Sequence, residues 1–323
     1  MSSPRKLPGE DFRLHCVKSS ECWGHRGASA SYPENTLASF EAAIRDGSDG
    51  IESDVHVTTD GVVLMFHDPA LGRTTNGQGA IKEKAWYGEN GIQNVRTFKE
   101  PKQPIPTFAE TVALLMLPEN RHVKFNIDVK VYNDPERVFS LMNAIVTAQP
   151  NWQTDLAPRI LLGLWHPRFI PAAKAYLPYC RRSHIGISPW IARKYFWDHV
   201  EVFSISFGAL ATMDGEQFRR ECKSHGKGLM VWTVNEPQQM MEAVRWGVDG
   251  ILTDVTKTWL DLRAALAKDY NSVDAQYGRW FLYLSPRFYT PYWMLWTKFL
   301  ERHGATQAGP WDVPAPQVAA TKS

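Results

Sequence analysis

The chain has 323 residues, 44% hydrophobic and 22% charged, with a net charge of +2 at pH 7. That supports a large core in one sizeable domain or two small ones, and nothing in the charge calls for nucleic acid as a partner. Cys16, Cys22, Cys180 and Cys222 are scattered without metal-type spacing and read as reduced thiols of an intracellular, cytosol-facing protein. The chain does not open on an apolar run, which argues against a cleaved secretory leader, and its early acidic residues argue against a mitochondrial presequence.

After an N-terminal extension over 1–20, a short apolar strand at 22–24 runs into Gly24-His25-Arg26-Gly27. In a barrel the catalytic groups sit at strand C-termini. His25 there suits proton transfer, and Arg26 suits a bidentate grip on phosphate. Pro33-Glu34-Asn35-Thr36 marks a helix start with Asn35 as N-cap, since Leu37, Phe40, Ala43 and Ile44 follow at helical spacing. The next strand, 51–55, puts Glu52 and Asp54 on one face. Thr59-Asp60-Gly61 reads as a tight turn, and the chain returns through 62–66 to His67-Asp68. The loop is too short for a parallel crossover, so this return strand is an antiparallel partner of the one before it. Hairpin parity is expected to place His67 on the face of Glu52 and Asp54.

Two such carboxylates repel each other unless a cation lies between them. A metal is the sharper reading, and an ion pair with Arg26 or Lys130 is the alternative. Residues 73–106 are rich in Gly, Asn and Lys with little periodicity, which suggests a loop or small insertion over a barrel mouth. Strands then recur at 123–129, 160–164, 184–187, 202–206, 229–234 and 250–252, alternating with helical stretches such as 135–148, 215–225 and 237–246. Alternation of this kind implies a mainly parallel sheet. With the antiparallel return strand set aside, the pattern predicts a distorted (β/α)8 TIM barrel over 21–268. Within it Asn126, Asp128 and Lys130 share a strand face, so a third carboxylate and a lysine enter the same mouth. Three carboxylates with water suit Mg²⁺ or Ca²⁺ better than zinc. Trp232, at a late strand end, would wall a substrate pocket or belong to the core. Asp254 reads as a structural cap.

Residues 269–305 collect aromatics, and between Trp280 and Leu300 the only charges are Arg287 and Lys298. Pro286 and Pro291 interrupt the stretch, so a single membrane-spanning helix is not expected. The reading is a monotopic anchor of two short segments, with Trp280, Phe281, Tyr292, Trp293 and Trp296 at a membrane surface. The alternative is that these rings pack on the outside of the barrel. Residues 306–323, rich in Pro, Ala and Gln, read as a disordered tail.

The ordered series HRG, PENT, Glu-x-Asp, HD, Asp-x-Lys, WTVN and GVDGILTD, spread over 22–254, resembles the glycerophosphodiester phosphodiesterase family. That resemblance implies a barrel enzyme cleaving phosphodiesters with a divalent cation. By motif, Glu52, Asp54 and Asp128 would hold the metal, His25 and His67 would move protons, and Arg26 and Lys130 would hold phosphate. Two departures stand out. Asp128 stands where the family usually has Glu, and Gly163-Leu164-Trp165 replaces the usual Ser-Phe, making Trp165 part of the substrate pocket. The second departure and the aromatic extension look like the fungal phosphatidylglycerol phospholipase C branch, which implies a glycerophospholipid substrate cut to diacylglycerol and glycerol phosphate. Alternatives are a soluble enzyme acting on deacylated glycerophosphodiesters and an inactive barrel that binds lipid or phosphate.

Overall fold

The computed structural model describes residue 17 and residues 20–313. Its strands are β1 (Glu21–His25), β2 (Gly50–Val57), β3 (Val63–Met65), β4 (Lys124–Val129), β5 (Ile160–Leu164), β6 (Arg181–Gly186), β7 (Val202–Ser206), β8 (Gly228–Trp232) and β9 (Gly250–Thr253). All except β3 run parallel, and the ring closes where β9 pairs with β1 and β1 with β2. The principal helices are α1 (Leu37–Asp46), α2 (Phe108–Met116), α3 (Pro135–Thr147), α4 (Ile170–Tyr176), α5 (Pro189–Tyr195), α6 (Met213–Ser224), α7 (Pro237–Trp246), α8 (Thr256–Lys268) and α9 (Thr290–Ala308). The expected TIM barrel is the fold observed.

The distortion has a local cause. β1 stops at His25, whose partner is Glu52, while β2 continues to Val57. β3 takes the edge of β2 that β1 leaves free, pairing Val55 with Met65 and Val57 with Val63. This register corrects the expected placement of His67. Asp54 lies opposite Phe66, whose amide donates to the Asp54 carbonyl at 2.9 Å. His67 falls just past the strand, so chain direction after β3, not hairpin parity, carries it to the mouth.

Alternation along the strands sorts the two faces. Ile51, Val55, Phe125, Ile127, Val129 and Leu162 face outward into one large core with the helices. Trp23, Leu161, Val202, Met230 and Leu252 fill the lower barrel. Gly50 is needed there, because a Cβ would stand 2.5 Å from the Trp23 ring. The segment 73–106 is a packed cap. Its Ile81, Trp86, Ile92 and Ile105 form a small core with Leu64, Phe66 and Leu71. Lys99 ties it to the loop after β1, donating to the Ser29 and Ala30 carbonyls at 2.8 and 2.7 Å.

The aromatic extension divides between two roles. Phe281 and Phe288 pack around Phe207, and Trp293 lies against Gly208. Trp280, Leu284 and Leu295 are 78%, 80% and 72% exposed, and Trp296 is exposed too; Tyr292 is half-buried. The stretch is interrupted as expected, between Leu284 and Thr290, and Pro291 marks the start of the helix that follows. Pro291 sits in the first turn of α9, where a missing N–H costs no hydrogen bond. Helix α9 runs past the expected start of the disordered tail at 306, and Trp311 folds back to donate to the Glu301 carbonyl at 2.9 Å. Residues 314–323 of that tail, Cys16 and all but residues 17 and 20 of the 1–20 extension lie outside the described residues. Among the described residues, no helix is long and apolar enough to cross a membrane.

Candidate active site

The site assembles at the C-terminal end of the barrel. Glu52 and Asp54 from β2 and Asp128 from β4 point inward and are buried. One ligand oxygen from each lies within 4.8 Å of the others. Register explains the meeting, because β2 and β4 pair Asp54 with Asp128. Burial, reinforced by the charge of Asp54, pushes the Glu52 carboxyl well above the usual carboxylate range. Burial also raises Asp128, against the opposing pull of Lys130. For Asp54 burial is outweighed by Lys130 and Arg26, and its carboxyl stays well below its ordinary value.

Both alternatives for the carboxylate pair are therefore present together. Lys130 Nζ bridges Asp54 at 2.7 Å and Asp128 at 2.8 Å, and the Arg26 guanidinium lies 3.6 Å from Asp54. Among the described residues neither side chain forms an ion pair with Glu52, which Arg26 reaches through its backbone amide. Asn126, which pairs with Glu52 across the strands, is fully buried, and neither its Oδ1 nor its Nδ2 has a partner among the described residues. A buried amide left open beside three carboxylates is a set of oxygen donors that fits a hydrated hard cation.

The strand ends add two histidines, each held through Nδ1. His25 Nδ1 lies 2.7 Å from Asp254 Oδ1, and His67 Nδ1 lies 2.7 Å from Asp68 Oδ1. Each ring thus keeps Nε2 for other work. Burial works against a charged His25, but the bond to Asp254 and the charge of Glu52 outweigh it, raising the pKa. Burial, helped by the charges of Lys130 and Arg26, lowers that of His67 despite the opposing pull of Asp54 and Asp68.

The HRG turn is built for this position. Arg26 and Gly27 both have positive φ, 57° and 80°. A Cβ on Gly27 would stand 2.5 Å from the Ser39 carbonyl carbon, so only glycine lets the turn lie on α1. The turn aims the Arg26 amide at Glu52 Oε2, 2.9 Å away. Arg26 also pairs with Glu34, Glu34 with Arg73, and Arg73 with Asp68. A chain of alternating charge therefore joins the Arg26 side to His67.

Three residues of the site escaped the sequence reading or were given another task. Asn35 does not cap α1; Thr36 does, in a capping box with Ser39. Asn35 instead donates to Asp54 Oδ2 at 2.8 Å and accepts from Ser53 at 2.5 Å. Asp254 is not a cap but the partner of His25, held by Ser29 and Asn235. Asp68 was visible only as the second letter of the HD pair. Trp165 Nε1 donates to Asp128 Oδ1 at 2.7 Å, and its ring meets that of Trp232 edge-on at 5.7 Å, making one wall beside the carboxylates.

A parallel barrel with an acidic trio and two carboxylate-held histidines at its C-terminal mouth is a hydrolase architecture of the metal-dependent kind. The chain belongs to the glycerophosphoryl diester phosphodiesterase family, whose sequence pattern matches residues 25–258, and its members are phosphoric diester hydrolases. It is 28% identical over 251 residues to a glycerophosphodiester phosphodiesterase of Caldanaerobacter subterraneus subsp. tengcongensis, covering 74% of this chain and 95% of the relative. It is 24% identical over 246 residues to one of Bacillus altitudinis, covering 73% and 94%. In fold it is similar to an Oleispira antarctica phosphodiesterase solved in complex with the product sn-glycerol-3-phosphate, with TM-score 0.62 and 22% identity over 76% of this chain and 98% of the other.

Proposed function

We propose that the protein hydrolyses glycerophosphodiesters to sn-glycerol 3-phosphate and an alcohol, with a divalent cation, Mg²⁺ or Ca²⁺, held by Glu52, Asp54 and Asp128. The observation that carries this is the convergence of those three buried carboxylates beside His25 and His67. When bound, the cation supplies positive charge against the phosphate. Arg26 and Lys130 add to it at the two sides of the trio, and Trp165 and Trp232 border the substrate.

In the reaction a water oxygen bonds to phosphorus, the bond from phosphorus to the alcohol oxygen breaks, and that oxygen takes up a proton. The histidine environments favour a division of labour, with His25 holding the proton to be donated and His67 Nε2 free to accept one. The test is release of glycerol 3-phosphate from glycerophosphocholine, with and without EDTA, and from a p-nitrophenyl diester. Chelation should abolish both activities, and added Mg²⁺ or Ca²⁺ should restore them. His67→Ala should lose about 10²–10⁴-fold on both substrates. His25→Ala should lose as much on glycerophosphocholine but little on the nitrophenyl diester, whose leaving group needs no acid. Activity that persists in EDTA would sink the metal assignment.

The same bond cleavage at a lipid surface, on phosphatidylglycerol, would release diacylglycerol as the alcohol and leave the phosphate on the headgroup glycerol. The exposed rings of Trp280, Tyr283, Trp296 and Phe299 favour this second reading.

A further inference from the structure

Beside the catalytic mouth lies a chamber of about 440 Å³, within the usual size range for small-molecule pockets. One end is bordered by His67, Lys130 and Trp165, the same groups that face the carboxylate trio. Beyond them the walls turn apolar. Ile185, Ile187 and Ile191 form the barrel side, and Leu300, Gly304 and Trp311 form the other. The latter three lie outside the residues that match the family.

The construction is specific to this chain. Gly163 faces into the barrel, where a Cβ would run into the Ile185 side chain, so the Gly-Leu-Trp departure makes room for Ile185 and sets Trp165 at the entrance. Helix α9 is pinned over the barrel by Thr297, which donates to Ser188 Oγ at 2.9 Å, and by Tyr195, which donates to Glu301 at 3.3 Å. Trp311 lies directly on Gly304, where a Cβ would stand 2.5 Å from its ring.

Besides His67, three histidines line the chamber, His166, His184 and His303. Burial pushes His166 down to about 4 and His184 down to about 3, so both are neutral near pH 7. The carboxylate at the entrance, Asp68, is paired with His67 and Arg73. Charge at one end and hydrocarbon at the other match an amphiphile with its phosphate at the mouth.

We infer that this chamber receives the hydrocarbon part of the alcohol released, so that the substrate is a glycerol-phosphate diester whose second alcohol carries an alkyl or acyl tail; this rests on the phosphodiesterase reading above. The test compares kcat/KM of the full chain for the ethyl and decyl diesters of sn-glycerol 3-phosphate, the latter kept below its micelle-forming concentration. The decyl ester should be favoured by more than about tenfold, since each methylene withdrawn from water favours binding. Leu300→Lys, which puts a charge in the wall, and Leu300→Trp, which fills the space, should each cut the decyl-to-ethyl ratio about tenfold and leave the ethyl ester within about twofold. A wild-type ratio near one, or a ratio that neither variant changes, overturns the inference while the phosphodiesterase reading stands. Failure of folded, metal-supplied wild-type protein to cleave even the ethyl ester overturns both.

Discussion

Asp254 stands 229 positions from His25 in the chain, yet its carboxylate sets both the orientation and the charge of that ring. With Nδ1 committed to Asp254, Nε2 is left for the proton transfer proposed above, and the nearby negative charge favours the imidazolium. Asp254→Asn keeps the side chain's size but removes the charge. The sign is fixed by what Asp254 does, which is to raise the His25 pKa. Without it the His25 pKa falls, so whichever limb of the pH–rate profile His25 governs should move toward lower pH, by roughly one unit. The measurement is kcat/KM against pH for both proteins on glycerophosphocholine. A limb that stays where it was would show that Asp254 is structural only. No local pattern could reveal this pairing, because β1 and β9 meet only on closure of the barrel.

At the scale of elements, what the sequence revealed follows from how far each signal reaches. Strand alternation put Glu52 with Asp54 and Asp128 with Lys130 on shared faces, and those placements need only the two-residue period of a strand. The site of His67 depended on register, and register here is fixed by where β1 ends and how β3 takes its place on β2. Asn35 was misread because its neighbour Thr36 fills the cap, freeing the Asn35 amide for Asp54. The β1–α1 turn shows how little slack such an element has. Gly27→Ala meets both a positive φ and the backbone of α1, so it should destabilise the fold by about 2–4 kcal/mol. It should also impair cleavage, because the same turn aims the Arg26 amide at Glu52. Thermal melting and turnover measured side by side check this; an unchanged melting temperature would mean that the turn can shift without cost.

Across the whole molecule, α9 joins the catalytic chamber to the outer surface. Thr297, Leu300 and Gly304 face the barrel, while Met294, Leu295 and Phe299 are exposed on the helix. A helix apolar on both sides needs a second apolar neighbour, and a solvated face does not supply one. With Trp280, Tyr283, Leu284 and Trp296 exposed as well, the extension presents more large apolar surface than scattered single residues require. Aromatic side chains are favoured at a membrane–water boundary, where an amphiphilic diester with a hydrocarbon tail would also be found. The triple substitution Trp280→Glu, Leu284→Glu and Leu295→Glu leaves every residue of the mouth and chamber in place. It should lower co-sedimentation with phosphatidylglycerol vesicles by about tenfold or more, through lost apolar burial and added repulsion from anionic lipid. Hydrolysis of glycerophosphocholine in solution should stay within about twofold, since these side chains do not reach the carboxylates. Equal vesicle binding by both proteins would remove the surface from the lipid reading and leave α9 with its inner face alone to explain.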